Sequence, residues 1–347
     1  MKKNWTKRER LEAVLKGELP DRPPISSWRH FVEKEHNARD LAQAMLDFQN
    51  KYDWDFMKIN PRAVYYNEVW GNEYNYAKYE NDIFPTLTKQ TINSMEDLNK
   101  IIIKPGTYGP LGEQLNVIKL IRKELQEDLP IFQTVFSPFA ILSSMLGVAP
   151  VRRYSENDKA KDILLDFAKK DSKTVHKALE AIALTIGDYA AKVIESGADG
   201  LFYAVIGFAR EGYLTMDEWK EFVEPYDIMI LKNVNGHMVL LHTCGIFSNP
   251  QRFVDYPISS IHWAPSAPGN PQIYDCKKWI KDKTPMGGLD ERLFGTGATE
   301  TIYKKSRETL EKNKSIPFIF TPDCSLSIRT QDEELRTFRR SVDDFSF

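Results

Sequence analysis

The sequence predicts an α/β protein built as a single (β/α)8 barrel over residues 1–347. Three observations predict it. Short apolar runs alternate with longer amphipathic stretches along the whole chain. Eight such runs can be counted, which suits a barrel better than an open doubly wound sheet. No GxGxxG follows the first run, so nothing marks a dinucleotide fold.

The expected strands are Pro24–Trp28, Phe56–Asn60, Ile131–Phe136, Gly200–Val205, Met238–Thr243, Ser259–Trp263, Pro285–Leu289 and Phe318–Thr321. The seventh is the weakest, because Gly287 and Gly288 lower strand propensity. Between the strands, Asp171–Gly197 carries Val175, Leu179, Ile182, Ile186, Tyr189, Val193 and Ile194 at helical spacing, with Gly197 as its stop. Capping boxes at Thr6–Glu9, Thr215–Glu218 and Thr330–Glu333 open three further helices, the second running to about Val234. About 70 residues separate the second and third strands, and Tyr65–Tyr79 within them reads as an insertion, a hairpin near the barrel mouth or packing on its outside.

Composition narrows the class. Apolar residues make up 42% and charged residues 28% of 347, which excludes disordered, collagen-like and disulfide-scaffold chains. With 47 basic and 49 acidic side chains the net charge is −2, so no nucleic-acid-binding balance is visible. Three cysteines, Cys244, Cys276 and Cys324, cannot close a disulfide framework and suit a reducing cytoplasm as thiols or metal ligands. The basic N-terminus lacks the apolar run of a secretory signal, and no apolar run is long enough to span a membrane.

Barrel chemistry collects where strands end. Those ends carry Arg29-His30, Asn60 with Arg62, Ser137, Tyr203 with Arg210 and Glu211, His242-Thr-Cys244, His262-Trp263, Asp290 and Asp323-Cys324. His242 and Cys244, two apart on a strand, face the same way and make a short chelating pair for a borderline-soft metal. Cys324 ends another strand, and the three would meet over the barrel axis. Such a set leaves a Zn2+ ion one open position and balances its charge with two thiolates. That centre suits holding a substrate thiolate for alkyl transfer rather than hydrolysis. The alternative is equally physical: a buried cysteine as a small apolar filler and a strand histidine as a satisfied polar group. Cys276, in a polar helical stretch, is expected to be inert.

Six motifs in order resemble the uroporphyrinogen decarboxylase superfamily: RERLEAVLKGELPDRPP (Arg8–Pro24), SPFAILSSMLG (Ser137–Gly147), ESGADGLFYAV (Glu195–Val205), WKEFVEPY (Trp219–Tyr226), HTCG (His242–Gly245) and GGLD (Gly287–Asp290), followed by the Cys324 segment. The resemblance implies a distorted (β/α)8 TIM barrel, a homodimer and one of two chemistries. The metal-free decarboxylases face an aspartate to the pyrrole nitrogens and hold carboxylates with arginines. Here their arginine-rich loop is replaced by SSWRHFVEKEH (Ser26–His36), their aspartate falls at Asn60, their tyrosine near Ser144 and their histidine near Cys324. The second branch, zinc-dependent methyltransferases linked to a corrinoid, bears His-x-Cys and a distant cysteine, matched by His242, Cys244 and Cys324.

The resemblance therefore implies methyl transfer between a corrinoid, on a separate partner protein, and a small-molecule thiol. Metal ligands would be His242, Cys244 and Cys324; Asp290 and Glu211 are candidate catalytic carboxylates; Arg29, Asn60, Tyr203, His262 and Trp263 are candidate substrate contacts. The competing readings are uroporphyrinogen III decarboxylation, acting on a tetrapyrrole, and non-catalytic binding of a corrinoid or thiol.

Overall fold

The computed structural model describes residues 4–80, 82–147, 159–343 and 345–347. The first three residues of the basic N-terminus lie outside these. The parallel strands are β1 (Met57–Ile59), β4 (Ile131–Phe136), β5 (Gly200–Ile206), β6 (Met238–Thr243), β7 (Ser260–His262), β8 (Thr284–Leu289) and β9 (Ile319–Pro322). They form one curled seven-stranded sheet in that order, every neighbouring pair parallel. β2 (Glu73–Glu80) and β3 (Phe84–Lys89) make a separate antiparallel hairpin in the connection between β1 and β4.

The first expected strand is corrected. Pro24–Trp28 forms no regular strand, although Ile25 and Arg29 make isolated parallel bridges to Phe320 and Leu326. The reason is donor supply. Pro23 and Pro24 have no N–H, and the Ile25 N–H goes to the Asp55 carboxylate instead of a ladder. The segment still bonds to both sheet edges: Ser26 N–H to Phe320 O on one side, and Asp55 N–H to Ile25 O on the other. Asp55, fully buried, also takes Arg10 at 2.8 Å and Arg22 at 2.6 Å.

β8 forms despite its glycines, and because of them. Gly287 and Gly288 sit at φ 129° and 120°, where a Cβ would lie 2.4 Å from Trp263 O and 2.9 Å from Thr309 Cγ2. The strand is pinched between its neighbour and α9 (Thr299–Asn313), so only glycine fits.

The helices follow their sequence signals with shifts of physical origin. Thr6 and Thr215 cap α1 (Lys7–Leu15) and α7 (Met216–Phe222) through reciprocal capping boxes. α7 ends at Val223, and α8 (Glu224–Leu231) restarts with Pro225 in its first turn, so the expected continuous helix is two. The long helix α6 (Lys159–Glu195) breaks at Asp171 (φ −156°), whose carboxylate accepts from Thr174 and caps the second half. The third capping box moves by one residue. α10 (Asp332–Arg340) is capped at Gln331 by Glu334, not Glu333, because Glu334 also collects the N–H groups of Gly295, Thr296 and Gly297.

Inside the sheet, Leu11 and Val14 of α1 pack with Phe56, Phe132, Phe202, Leu240, Met286 and Ile319. These side chains fill the end of the barrel where the strands begin. The opposite end is left to polar groups. No helix of the described residues is long and apolar enough to cross a membrane.

Candidate metal centre and cavity

Strand parity places the centre. On β6, Leu240 faces inward, so His242 and, just beyond the strand, Cys244 do too. Cys244 is fixed by an unusual neighbour. Ile206 ends β5 at φ 54°, ψ −145°, a costly conformation for a β-branched residue, and its carbonyl accepts the Cys244 N–H at 3.2 Å. Cys324 follows β9 across the sheet. The Cys244 and Cys324 sulfurs lie 3.5 Å apart, and Cys324 Sγ is 3.6 Å from His242 Nε2. All three donor atoms fall within 4.8 Å of one another and are buried.

The Cys244–Cys324 and Cys324–His242 separations fit the edges of a tetrahedral zinc site. Bond lengths of about 2.3 Å to sulfur and about 2.0 Å to nitrogen give edges of about 3.8 Å (S···S) and about 3.6 Å (S···N).

Behind His242 stands His262, its register partner on β7. The two Nδ1 atoms are 2.9 Å apart, and His262 Nε2 lies 3.0 Å from Pro322 O. A carbonyl only accepts, so His262 carries its proton on Nε2 and offers a bare Nδ1. Burial, with His242 adding to it, holds the His262 ring well below its ordinary pKa, keeping it neutral. His242 must then donate from Nδ1, which leaves the Nε2 lone pair facing Cys324. Ligand histidines are commonly fixed through their other nitrogen in this manner.

The centre opens on a cavity of about 790 Å³. Trp28, Tyr66, Phe84, Phe136, Phe202 and Phe294 supply its apolar walls, and Asp82–Phe84 bring the tip of the β2–β3 hairpin to it. Residues 65–79 themselves form a short helix, α3 (Tyr65–Glu68), and most of the hairpin's first strand. Asn60, Lys58 and His30 also line the cavity. His30 Nδ1 lies 3.1 Å from Glu35, a carboxylate with no exposure.

Lys58 also faces the cavity, a residue that strand-end reasoning does not single out. It is the inward residue of β1, 4% exposed, and burial pushes its ammonium down to about 7. A lysine at the centre of the apolar run FMKIN was the available signal.

Other candidates sit elsewhere. Tyr203 and Trp263 adjoin the inward residues Phe202 and His262, so they point outward. Tyr203 donates to Asp227 at 2.5 Å, and Trp263 donates to Pro271 O at 2.8 Å. Arg29 lies over Phe31 and bonds the carbonyls of Ile328 and Thr330. Arg62 is held by Glu68 and Glu113. Asp290 caps its own loop and grips Arg292 through both oxygens. Glu211 is exposed, and its backbone N–H bonds Phe247 O. None of these six lines the cavity. His262 acts at one remove, through His242. Cys276 is buried at Ile273–Lys278, far along the chain from the cluster, and burial pushes its thiol up to about 11.

Fold and centre together define a parallel α/β barrel with an imidazole and two sulfurs gathered at the carboxyl ends of its strands. Residues 6–345 match the family model described as uroporphyrinogen decarboxylase (URO-D), and the chain belongs to that family. A solved structure described as a methyltransferase from Methanosarcina mazei superposes with a TM-score of 0.80 at 19% identity, covering 98% of this chain and 99% of that one. The methylcobamide:CoM methyltransferase MtbA of Methanosarcina acetivorans is 21% identical over 76% of this chain and 72% of its own. A uroporphyrinogen decarboxylase of Chlorobium phaeovibrioides is 27% identical over 39% of this chain and 35% of its own.

Proposed function

We propose that this chain is a zinc-dependent methyltransferase that moves a methyl group between a corrinoid, carried by a separate protein, and a small-molecule thiol. The observation that carries the reading is the convergence of His242 Nε2 with the sulfurs of Cys244 and Cys324. The name of the Methanosarcina relative supports the same reaction class.

His242, Cys244 and Cys324 would hold the ion, and His262 would keep His242 in the ligating tautomer. Bound there, zinc supplies a Lewis acid that lets a substrate thiol lose its proton at neutral pH. Two thiolates and one neutral imidazole would balance the charge of the dication, so the loaded centre would be neutral before a substrate thiolate joins it. The aromatic walls exclude water, which keeps a thiolate poorly solvated and reactive toward an alkyl group. Porphyrinogen decarboxylation is disfavoured by chemistry at the same place. Asn60 cannot supply a carboxylate, and Arg29 and Arg62 are committed to other partners.

The test is a methyl-transfer assay with zinc-loaded protein, methylcobalamin and a panel of thiols. Zinc-dependent loss of methylcobalamin, abolished by Cys324→Ala, supports the reading. Full activity in Cys324→Ala with no bound zinc overturns it, and turnover of uroporphyrinogen III would put decarboxylation in its place.

A further inference from the structure

The fold treats the three cysteines differently. Cys276 sits in the core, 1% exposed, and does not line the cavity. Cys244 and Cys324 both line it, and keep 6% and 9% of their surface open. A small solute entering the cavity therefore reaches these two sulfurs and not the third.

The pair is brought together by the sheet and not by the sequence, in which 80 residues separate them. Cys244 follows β6, its N–H held by Ile206 O; Cys324 follows β9, where the Asp323 N–H is held by Leu289 O at 2.8 Å. The result is two sulfurs at 3.5 Å, a contact and not a bond. A disulfide needs about 2.05 Å, so about 1.5 Å of further approach would join them. Sulfurs this close can share a cation or share a bond. They cannot do both, because a sulfur in a disulfide has no thiolate charge to offer a metal.

We infer that Cys244 and Cys324 are a redox modification site: a two-electron oxidant of the peroxide class joins them in a reversible disulfide, and the oxidised pair no longer holds a metal ion. The bond stands on the two sulfurs alone, whereas the loss of the ion rests on the zinc reading. In the first step one sulfur attacks a peroxide oxygen, the O–O bond breaks, a sulfenic acid forms and one water leaves. In the second step the other sulfur attacks the sulfenic sulfur, the S–O bond breaks and a second water leaves. Two thiols and one hydrogen peroxide thus become one disulfide and two waters. A small-molecule dithiol reverses the bond through a mixed disulfide and departs as its own cyclic disulfide. With a second thiol already in contact, the sulfenic acid is consumed before further peroxide can carry it to a sulfinic acid.

The experiment uses the full chain, reduced and freed of metal with a chelator, then treated with hydrogen peroxide. Iodoacetamide labelling under denaturing conditions counts the thiols that remain. Labels are expected to fall from three per chain to one, and the remaining label to map to Cys276. Peptide mapping without reductant should show the Cys244 peptide linked to the Cys324 peptide, and dithiothreitol should restore all three labels. Elemental analysis after zinc loading is expected to find one ion per chain in the reduced protein, a trace in the oxidised protein and one again after dithiothreitol. Cys276→Ala should form the same link, whereas Cys244→Ser and Cys324→Ser should carry the remaining thiol on to sulfinic and sulfonic acids. The wild-type map decides the matter even if a serine variant fails to fold. Retention of all three labels, sulfinic acid at either cysteine without the linked peptide, or a link through Cys276 overturns the site. A linked pair that still binds a full equivalent of zinc overturns its effect on the metal. A reduced protein that binds no zinc removes the zinc reading, and the linked peptide still upholds the disulfide.

Discussion

His242 and His262 meet Nδ1 to Nδ1 at 2.9 Å, and the carbonyl of Pro322 decides which of them donates. One backbone oxygen on β9 thereby sets the tautomer of a ring on β6, through a ring on β7. The same strand end supplies Cys324, so two of the conditions for gripping a cation come from one turn of chain.

Removing that relay should weaken metal binding without unfolding the protein. His262→Phe keeps an aromatic ring against Trp28 and Phe202 but offers His242 no acceptor. Zinc affinity, measured by competition with a chromophoric chelator, is expected to fall about 10–100-fold. Unchanged affinity would show that His242 keeps its orientation without help.

Cysteine substitutions should separate ligands from filler. Cys324→Ala and Cys244→Ala are expected to lower zinc from one ion per chain to a trace, whereas Cys276→Ala keeps it, since that thiol belongs to another part of the core. Elemental analysis of the three purified variants checks this, and equal zinc in all three would dismiss the cluster as a metal centre.

The outer face of β5 carries a pH-dependent cost. Burial pushes the Asp227 carboxyl up to about 7, with Tyr203 and Tyr256 donating to it. Its folded value lies above the ordinary carboxylate value of about 3.9, so the folded chain keeps a proton that the unfolded chain has lost between these pH values. Stability therefore falls as pH rises from about 4 to 7 and stays lowered above that. Asp227→Asn cannot ionise. Its stability relative to wild type should rise across this window, by at most about 4 kcal/mol. Urea unfolding at pH 4.5 and pH 8 measures the difference, and parallel curves for the two proteins would refute the assignment.

Barrel closure depends on a different carboxylate. Asp55→Ala takes the buried partner from Arg10, Arg22 and the Ile25 N–H, leaving Arg10 with Asp21, Arg22 with Pro23 O and the amide with none. A loss of about 3–5 kcal/mol is expected. Thermal melting would register it, and zinc content at low temperature should be unaffected, because none of these groups borders the cluster.

Much of this was legible in the sequence wherever periodicity carries the information. Seven of the eight expected strands fall within a residue of their observed ends, Phe56–Asn60 and Ser259–Trp263 each shortening to its central three. His242, Cys244 and Cys324 converge because a two-residue period and a strand end determine where side chains point. The same rule, applied one residue further, would have removed Tyr203 and Trp263 from the cleft, since each adjoins an inward residue on its strand. What the sequence hid is partner choice. Arg29, Arg62 and Asp290 sit at plausible strand ends, but nothing in their spacing says that Thr330, Glu68 and Arg292 occupy them. Lys58 was hidden by its neighbours: an apolar run reads as core, and a single charge within it reads as noise unless parity is followed inward.

The side chains of Leu11, Val14, Phe132 and Met286 seal one end of the barrel. A blind passage of this shape has consequences for traffic under the proposed reaction. Among the described residues, the mouth bordered by the hairpin tip at Asp82–Phe84 is where whatever delivers the methyl group and whatever leaves with it would meet. Delivery and departure must then alternate rather than overlap, and a bulky carrier seated on that doorway would hold the acceptor captive until it moved away.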